Sequence, residues 1–473
     1  MPRLWASLLC LAATAAAGAH QLPNVLFKDV AIIGGGASGA YAAVRLRDDY
    51  GKSIALVEKQ DILGGMVDTY VDPETGKTHE YGVESFLDVG NASAFFDRFG
   101  IERAPLSRSN VTTDYIDFNT GNSINFTMPS FKNQMAAMQK FLDVVKPWTD
   151  YLRPGYWDFP QPEDIPEDFL IPYGDFITKY GLEDAVPMMF ASTGLGLGNM
   201  TEATTMFVLQ SFGPHMAESV LGKIDAYAPA QGNQALYNAV AEDLGDDVLY
   251  SSTVITSLRT DFGVFLTVRN NVTGQITLIT ARQLLIAIEP TKDNTAPLGL
   301  SWHEQELLSK FTYTREYTAI INNTALETGM AYFNMPAASA PDNYLILPEA
   351  SFTNIITYLG GDNLFKVIIV GDNNLDEAGA RALLQKDFNT LLSAGKLATT
   401  ADQRAVDYVT FAAHGPMHAR VSVEDVKAGF FQDLYELQGQ RSTWWTGGAF
   451  SVNFQTSLWD FDETLFPKML ANL

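Results

Sequence analysis

A chain of 473 residues exceeds what one ordinary hydrophobic core can organise, so at least two domains are expected. Hydrophobic residues make up 47% and charged residues 18%, which is typical of a folded globular protein and excludes a disordered one. The formal net charge of −24 argues against nucleic acid or an anionic membrane surface as a partner, because both attract clustered lysine and arginine.

The N-terminal residues 1–19 have the layout of a secretory signal peptide. Arg3 supplies a positive charge, residues 4–17 are apolar, and residues 17–19 offer a small-residue cleavage site. The apolar run is too short for a membrane span, and no later run reaches spanning length. We therefore expect a secreted or lumenal glycoprotein, with candidate N-glycosylation sites at Asn91, Asn110, Asn125, Asn199, Asn271 and Asn322.

The single cysteine of the chain, Cys10, lies inside this signal. After cleavage no thiol remains for a disulfide, for a cysteine-ligated metal or for a thioether link to a cofactor. Any prosthetic group is therefore expected to be held without a bond to cysteine.

The next elements form a strand, a helix and a second strand. Residues 28–33 are an apolar run typical of a buried parallel strand, and they end at a glycine. Residues 38–49 have helical spacing, and residues 53–58 form another apolar run that ends in an acid. Together they predict a βαβ unit.

The turn of this unit carries the G-x-G-x-x-G pattern of a dinucleotide-binding fold. Gly34 makes the tight turn, Gly36 lets the backbone approach a pyrophosphate, and Gly39 permits close packing of the helix on the strand. Glu58 ends the second strand about 20 residues later, where a carboxylate can bind ribose hydroxyls. The combination is much more specific than the glycines alone.

The remaining chain predicts two further regions interleaved with the nucleotide domain. Helical segments interrupted by proline-rich loops occupy residues 93–221, strands begin at 248, and residues 417–473 suggest a helix, a strand and a final helix. Short apolar runs at 344–347, 355–358 and 365–370 are also expected to be strands. The predicted fold class is α/β: a Rossmann-type three-layer ββα domain (residues 25–92, 222–295 and 406–473) with an inserted α+β substrate domain (residues 93–221 and 296–405).

Two other patterns are not expected to bind a nucleotide or a metal. The glycine string at 194–198 follows a helix-like segment rather than a strand, so it is interpreted as a loop or a wall of the substrate cavity. His414 and His418 have i, i+4 spacing, but Gly415 and Pro416 break a regular helix between them, and no carboxylate completes a metal pattern. They are interpreted as surface or core histidines, and no metal site is predicted.

The chain resembles the flavin-containing amine oxidase superfamily. The resemblance is carried by residues 29–39 (DVAIIGGGASG), 63–65 (LGG) and 80–83 (EYGV). It is strongest towards the fungal β-cyclopiazonate dehydrogenase-like branch and more distant towards the bacterial polyunsaturated fatty acid isomerase. Similar segments extend it over nearly the whole mature chain, at residues 230–236, 281–290 and 445–450.

This resemblance implies FAD as the cofactor and assigns residues to it. The glycine turn would hold the pyrophosphate, Glu58 the adenosine ribose, Val254 the adenine, and the C-terminal glycines the ribityl chain, with the helix near Ser457 directed at the flavin pyrimidine. The implied cofactor-binding residues are Gly34, Gly35, Gly36, Ala37, Ser38, Gly39, Glu58, Gly64, Gly65, Met66, Val254, Gly447 and Gly448, and Trp445 and Phe450 are candidate substrate contacts.

Two departures from the family pattern separate this chain from the true amine oxidases. Met66 follows the double glycine where the fungal pattern often has histidine. The lysine that contacts flavin N5 through water in amine oxidases has no counterpart within residues 311–333. No catalytic residue is assigned from the sequence.

The leading functional hypothesis is an FAD-dependent dehydrogenase or oxidative cyclase that removes a hydride from a hydrophobic small molecule, in secondary metabolism. A flavin-dependent double-bond isomerase of an unsaturated lipid or acid is the alternative, for which Arg103 and Arg108 are candidate carboxylate partners. A secreted FAD-binding protein without catalysis is a third hypothesis. The oligomeric state is left open.

Overall fold

The computed structural model describes residues 23–106, 110–361, 363–398, 404–471 and 473. The predicted signal peptide, with Cys10, and Arg108 lie outside these ranges. Within them, no helix is both long and apolar enough to cross a bilayer.

The first sheet is the predicted dinucleotide-binding sheet. Its strands follow the order β10-β2-β1-β13-β12-β11, with β19 also paired to β13. The parallel pairs β1–β2 and β1–β13 bury the apolar runs at the centre, which confirms the Rossmann-type α/β fold. The bounds are β1 Asn24–Ile33, β2 Ile54–Val57, β10 Val248–Leu249, β11 Ser252–Thr260, β12 Gly263–Asn270, β13 Ile276–Ile286 and β19 Thr443–Trp445.

The second sheet has seven strands in the order β18-β14-β17-β16-β15-β7-β8 and is antiparallel except for the β15–β7 pair. It has a separate apolar core on the face covered by the helix Glu377–Ser393. The bounds are β7 Thr112–Asp117, β8 Asn122–Ser123, β14 Thr312–Asn322, β15 Met330–Asn334, β16 Phe352–Gly360, β17 Leu364–Asp372 and β18 Tyr408–Arg420.

Two small sheets and the helices complete the fold. The sheets are β3–β4 and β5–β9–β6. Their strands are β3 Thr69–Val71, β4 Thr78–Glu80, β5 Phe86–Leu87, β6 Arg103–Pro105 and β9 Ala226–Pro229. The α-helices are α1 Ala37–Val44, α2 Ala92–Arg98, α3 Phe131–Val145, α4 Thr149–Leu152, α5 Tyr173–Tyr180, α6 Val186–Met189, α7 Thr205–Ser211, α8 Pro214–Val220, α9 Gln234–Leu244, α10 Lys292–Thr295, α11 Trp302–Leu308, α12 Glu377–Ser393, α13 Val423–Lys427, α14 Phe430–Glu436 and α15 Gln455–Leu470.

Two expectations from the sequence were wrong. Residues 408–420 fall within the 406–473 range assigned to the cofactor domain, but they form β18, which pairs with β14 in the second sheet. Residues 344–347 form no strand. Their apolar side chains line a cavity instead, and the Tyr344 hydroxyl donates to the carbonyl of Thr127 (2.9 Å).

The last helix is fixed against the first. The rings of Tyr41 and Trp459 stack with centroids 5.4 Å apart, and the Trp459 indole N–H donates to the carbonyl of Ala37 (3.1 Å). Glu463 accepts hydrogen bonds from the Tyr41 hydroxyl (2.7 Å) and the Arg45 guanidinium (2.8 Å). Because Trp459 lies in the second turn of α15 and Ala37 begins α1, the N-terminal ends of both helices lie at the same end of the molecule.

Candidate functional site

The glycines of the β1–α1 turn have different structural roles. A Cβ on Gly39 would overlap the carbonyl oxygen of Gly34, so this position needs glycine for the helix to pack against the strand. A Cβ on Gly36 would meet nothing closer than the Gly65 Cα, at 3.6 Å. The space in front of Gly36 is therefore free of protein.

This free space has the properties of an anion site. It lies at the N-terminus of α1, where backbone N–H groups and the helix dipole favour a phosphate. The hydroxyl of Ser38 is buried there without a hydrogen-bond partner. A buried unpaired donor beside an open backbone fits the pyrophosphate of a dinucleotide.

Glu58 is held directly beside this turn. One carboxylate oxygen accepts the N–H of Gly35 (2.6 Å), and the other accepts the N–H of Gln60 (2.8 Å). Its carbonyl accepts the N–H of Ser252 (2.8 Å), which starts the strand that contains Val254. The structure thus brings the predicted ribose and adenine positions next to the predicted pyrophosphate position.

Glu58→Ala is expected to weaken FAD binding about 10- to 100-fold, because charge-assisted hydrogen bonds to a ribose contribute roughly 1.5–3 kcal/mol. The visible spectrum of the flavin that remains bound should not change, since the adenosine ribose is remote from the isoalloxazine ring. Measuring the FAD dissociation constants of both proteins tests this. Equal constants would contradict the ribose contact.

The second glycine pair packs against the first. The Gly64 N–H donates to the carbonyl of Gly35 (3.0 Å), and a Cβ on Gly65 would lie 2.9 Å from the Gly36 Cα. The carbonyl of Met66, the next residue, accepts the N–H of Val83 (3.1 Å). This loop therefore lies beside the anion site, where the resemblance placed it.

The C-terminal glycines face a buried acid. A Cβ on Gly448 would overlap the carboxylate of Glu289 and the amide of Asn453. The backbone N–H groups of Gly448 and Ala449 hydrogen-bond to Glu289, and Asn453 donates to it as well (3.3 Å). Burial nevertheless raises the pKa of Glu289 to about 7.

Glu289→Gln is expected to stabilise the FAD-free protein at pH 8 but not at pH 4. Because the folded-state pKa of Glu289 is raised, the folded state binds this proton more tightly, and the associated stability is lost as the pH rises from about 4.5 to about 7. The difference between the proteins should reach roughly 2–3 kcal/mol above pH 7. Urea unfolding at several pH values measures it, and a pH-independent difference would contradict the raised pKa.

A polar cavity lies beside Gly448 and contains an unusual histidine. His418 has a left-handed backbone (φ 52°), which is rare for a residue other than glycine and is concentrated at functional sites. Its Nδ1 is 2.8 Å from the Ser211 hydroxyl, and burial lowers its pKa to about 3, so the ring is neutral. The lining residues are Phe207, Gln210, His418, Ala419, Arg420, Gly448, Ser451, Val452 and Asn453.

Glu316 lies next to this histidine. A Cβ on Gly196 would be 2.6 Å from the His418 Nε2 and 3.3 Å from a Glu316 carboxylate oxygen, so both groups border the same glycine. In the part of the chain that the structure describes, no hydrogen bond or ion pair reaches the Glu316 carboxylate. Desolvation raises its pKa above the ordinary value.

His414 approaches Glu316 from the neighbouring strand. The two residues are partners in the β14–β18 register, and the His414 Nε2 is 2.6 Å from the carboxylate of Asp68. Asp68 belongs to the loop after Gly64 and Gly65. This contact therefore joins the second sheet to the loop beside the anion site.

An apolar cavity of about 50 Å³ lies against β7 and β15 of the second sheet. Its wall includes Phe190 and Ala191, in the π-helical turn Phe190–Gly194 that continues directly to Gly196. The segment from Ala191 to Gly196 spans roughly 10 Å as a tight helix. It therefore runs from the wall of the apolar cavity to the glycine that borders Glu316 and His418. The other lining residues are Tyr115, Phe126, Met128, Pro187, Phe333, Met335, Tyr344 and Leu347.

Three candidates from the sequence lie elsewhere. Trp445 and Phe450 are fully buried and stack on each other (5.8 Å), and neither lines either cavity described above. Arg103 pairs with Asp97 (3.1 Å) near the surface. The assignment of Trp445 and Phe450 as substrate contacts stays a prediction.

Sequence reasoning missed the acidic and basic groups of the site. Glu316 and His418 are single polar residues within strands, and Asp68 is one of many loop acids. The detectable signals were a charged pair in the middle of an apolar strand (Arg315 and Glu316) and an acid directly after the apolar end of β13 (Glu289). Neither signal identifies a partner.

The fold and the site define the class of protein. A Rossmann turn with an open anion site, an acid hydrogen-bonded to that turn and a C-terminal glycine segment beside a polar cavity fit FAD, and the model of the NAD(P)-binding Rossmann-like domain family matches residues 32–99. The protein is an FAD-dependent oxidoreductase.

Comparison with curated proteins shows the family. The chain is 31% identical to β-cyclopiazonate dehydrogenase of Aspergillus flavus over 98% of its own length and 97% of the relative. It is also 31% identical to the FAD-dependent oxidoreductase pigF of Monascus ruber, over 95% of this chain and 93% of the relative. The chain belongs to this family of fungal FAD-dependent oxidoreductases.

Solved structures show the same fold at low sequence identity. A conjugated-linoleic-acid-producing fatty acid isomerase from P. acnes superimposes with a TM-score of 0.70 at 16% identity, covering 93% of this chain and 98% of that one. Putrescine oxidase superimposes with a TM-score of 0.61 at 15% identity, covering 94% and 100%. These likenesses support the α/β architecture with an amine-oxidase-like arrangement.

Proposed function

We propose that the protein dehydrogenates a hydrophobic small molecule and that Glu316 accepts the proton released from the substrate. The observation that carries this proposal is the Glu316 carboxylate itself, which borders Gly196 and the neutral His418 with no hydrogen bond or ion pair among the described residues. A carboxylate whose pKa is raised by desolvation is a stronger base and is suited to general base catalysis.

The chemistry divides between the cofactor and the chain. When bound, FAD supplies the acceptor for a hydride from a C–H bond of the substrate. Dehydrogenation also releases one proton, from a neighbouring O–H, N–H or C–H group, and a double bond forms between the two atoms. Glu316 takes this proton and becomes neutral. The contact between Asp68 and His414 joins β18 to the loop that follows Gly64 and Gly65.

The apolar cavity supports the class of substrate. Its walls are aromatic and aliphatic apart from the Tyr115 and Tyr344 hydroxyls, so they suit an apolar part of a substrate. The relatives include a dehydrogenase named for β-cyclopiazonate, and we extend the small-molecule class, not that compound, to this chain. A role in secondary metabolism follows as part of the same proposal.

The test is an anaerobic screen of hydrophobic metabolites, read by loss of the visible flavin absorbance. A dehydrogenation substrate bleaches the flavin stoichiometrically, and admission of air or an added acceptor restores the colour. A compound that is isomerised without lasting bleaching would favour the isomerase hypothesis. A protein that contains no FAD and cannot be reconstituted with it would contradict the proposal.

We also propose that the protein is secreted and glycosylated. The support is the signal-like residues 1–19 and the exposure of Asn110, Asn125 and Asn271, whereas the Asn91 amide donates to the buried Tyr41 hydroxyl (3.1 Å). Endoglycosidase treatment of protein from a fungal culture medium, followed by N-terminal sequencing, tests both points. An intact, intracellular, unglycosylated chain would contradict them.

A further inference from the structure

Arg153 is a buried cation without a counter-ion. It follows α4, and its side chain donates to the Ser457 hydroxyl and to the carbonyl of Gln210 (2.8 Å), while its Nε is buried without a partner. Asp460 is the carboxylate with the largest effect on it, but the two form no ion pair. Burial lowers the pKa of Arg153 only to about 10, so the charge persists at neutral pH.

Two more buried donors belong to the helix turn that contains Ser457. The amide nitrogen of Gln455 and the hydroxyl of Thr456 have no hydrogen-bond partner, and both residues are more than 90% buried (6% and 1% exposed). They form the first turn of α15, next to Ser457, where the dipole of a 16-residue helix is positive. Unpaired donors and an uncompensated cation are costly unless an anionic or strongly accepting group joins them.

This cluster borders the cavity beside the C-terminal glycines. Gln210, whose carbonyl accepts from Arg153, donates through its side-chain amide to the carbonyl of Ser451 (3.2 Å). Gln210 and Ser451 both line the polar cavity, together with Gly448. Arg153 therefore does not line the polar cavity itself, but it contacts Gln210, which does.

We propose that Arg153 is the counter-cation for the negative charge that the flavin ring gains when it is reduced. Two electrons and one proton convert the neutral oxidised ring into a ring with one negative charge, and in this proposal the Arg153 guanidinium and the N-terminus of α15 are the positive groups that stabilise it. The proposal rests on FAD binding but not on the assignment of Glu316.

The elements that contact Arg153 favour a flavin, rather than an anionic substrate, as the group whose charge it balances. Its hydrogen bond goes to Ser457, in the helix that follows Gly447 and Gly448, and the two unpaired donors belong to the same turn. The apolar cavity, by contrast, is lined by residues of the second sheet and its neighbouring segments. Removal of the positive charge should therefore destabilise the reduced flavin before any substrate is involved.

Sulfite titration of the FAD-loaded protein tests this without a substrate. Sulfite adds to the oxidised flavin, gives the ring a negative charge and bleaches its visible absorbance. The wild-type protein should form this adduct, and Arg153→Met should bind sulfite at least about tenfold more weakly, because charges interact strongly in a buried site. A tenfold loss corresponds to a fall of about 30 mV in the two-electron midpoint potential.

Two matched variants complete the experiment. Arg153→Lys retains a cation and should stay close to the wild type. Lys468→Met removes a positive charge from the last turn of the same helix, about 16 Å from Ser457 at 1.5 Å per residue, and should have no effect. If Arg153→Met does not load FAD, Arg153→Gln, which is neutral but can hydrogen-bond, replaces it.

Two outcomes would overturn the proposal. One is a wild-type protein that forms no sulfite adduct, a measurement that needs no variant. The other is equal sulfite affinity in the wild type, Arg153→Met and Lys468→Met, which would assign Arg153 to a substrate anion or to the structure alone. Since no substrate is used, neither outcome depends on the dehydrogenase assignment.

Discussion

Gly36→Val is expected to abolish FAD binding and to leave a folded, colourless protein. The Cβ position of Gly36 faces the anion site at the N-terminus of α1 and lies 3.6 Å from the Gly65 Cα, so a small side chain meets the pyrophosphate before it meets much of the protein. The measurements are the FAD content after purification and the thermal unfolding of the FAD-free proteins.

Gly39→Ala is the matched control for this variant. Its Cβ would overlap the Gly34 carbonyl oxygen, so its defect should be one of folding rather than of binding alone. Normal FAD content in Gly36→Val would show that the glycine turn is not the pyrophosphate site. Equal unfolding of both glycine variants would show that Gly36 is needed for the fold.

Glu316→Gln is expected to slow flavin reduction by a substrate found in the screen roughly 10²- to 10⁴-fold, the range that general base catalysis contributes. Glutamine has nearly the same shape but cannot accept a proton to become neutral. Substrate affinity should change little, so the loss should appear in the limiting rate of reduction. Anaerobic stopped-flow measurement of the flavin absorbance separates the two quantities.

The pH dependence gives an independent readout. Glu316 must be deprotonated to accept a proton, so the rate of flavin reduction in the wild type should rise with pH through the raised pKa of Glu316. This rising limb of the pH profile should be missing in Glu316→Gln. Desolvation is the main cause of the raised pKa; His414 and Lys366 oppose it, and Glu84 adds to it.

Glu84→Gln is the matched control for the pH profile. It removes a like charge that is ion-paired with Lys366, so it should move the limb to lower pH without removing it. An unchanged rate and profile in Glu316→Gln would exclude Glu316 as the proton acceptor.

The sequence was sufficient for the cofactor half of the site because the relevant residues are close in the chain. The β1–α1 turn, the helix and the acid that ends β2 form one local unit, and each glycine has a steric requirement that a pattern can express. The contact of Glu58 with Gly35 follows from that unit almost directly. The resemblance then extended the assignment to Gly64, Gly65, Gly447 and Gly448.

The proposed catalytic half depends on contacts between segments that are distant in the chain. Gly196, Glu316 and His418 come from three separate segments, and Asp68 meets His414 across 346 positions. The sequence analysis predicted no strand at residues 408–420 and placed them in the cofactor domain, whereas they form β18 in the second sheet. Hydrogen-bond pairing with β14 decided that, and it placed His414 opposite Glu316.

By itself, the sequence determined the Rossmann unit, because local sterics and motif spacing encode it, and its resemblance to the flavin-containing amine oxidase superfamily indicated FAD and the family. Only the tertiary structure decided which polar groups are buried, paired or left without a partner. Glu316, Glu289 and Arg153 are ordinary charged residues in the sequence, and only burial by remote segments gives the two carboxyl groups their raised pKa values and leaves Arg153 without a counter-ion. Desolvation is a property of the folded surroundings and not of the residue type.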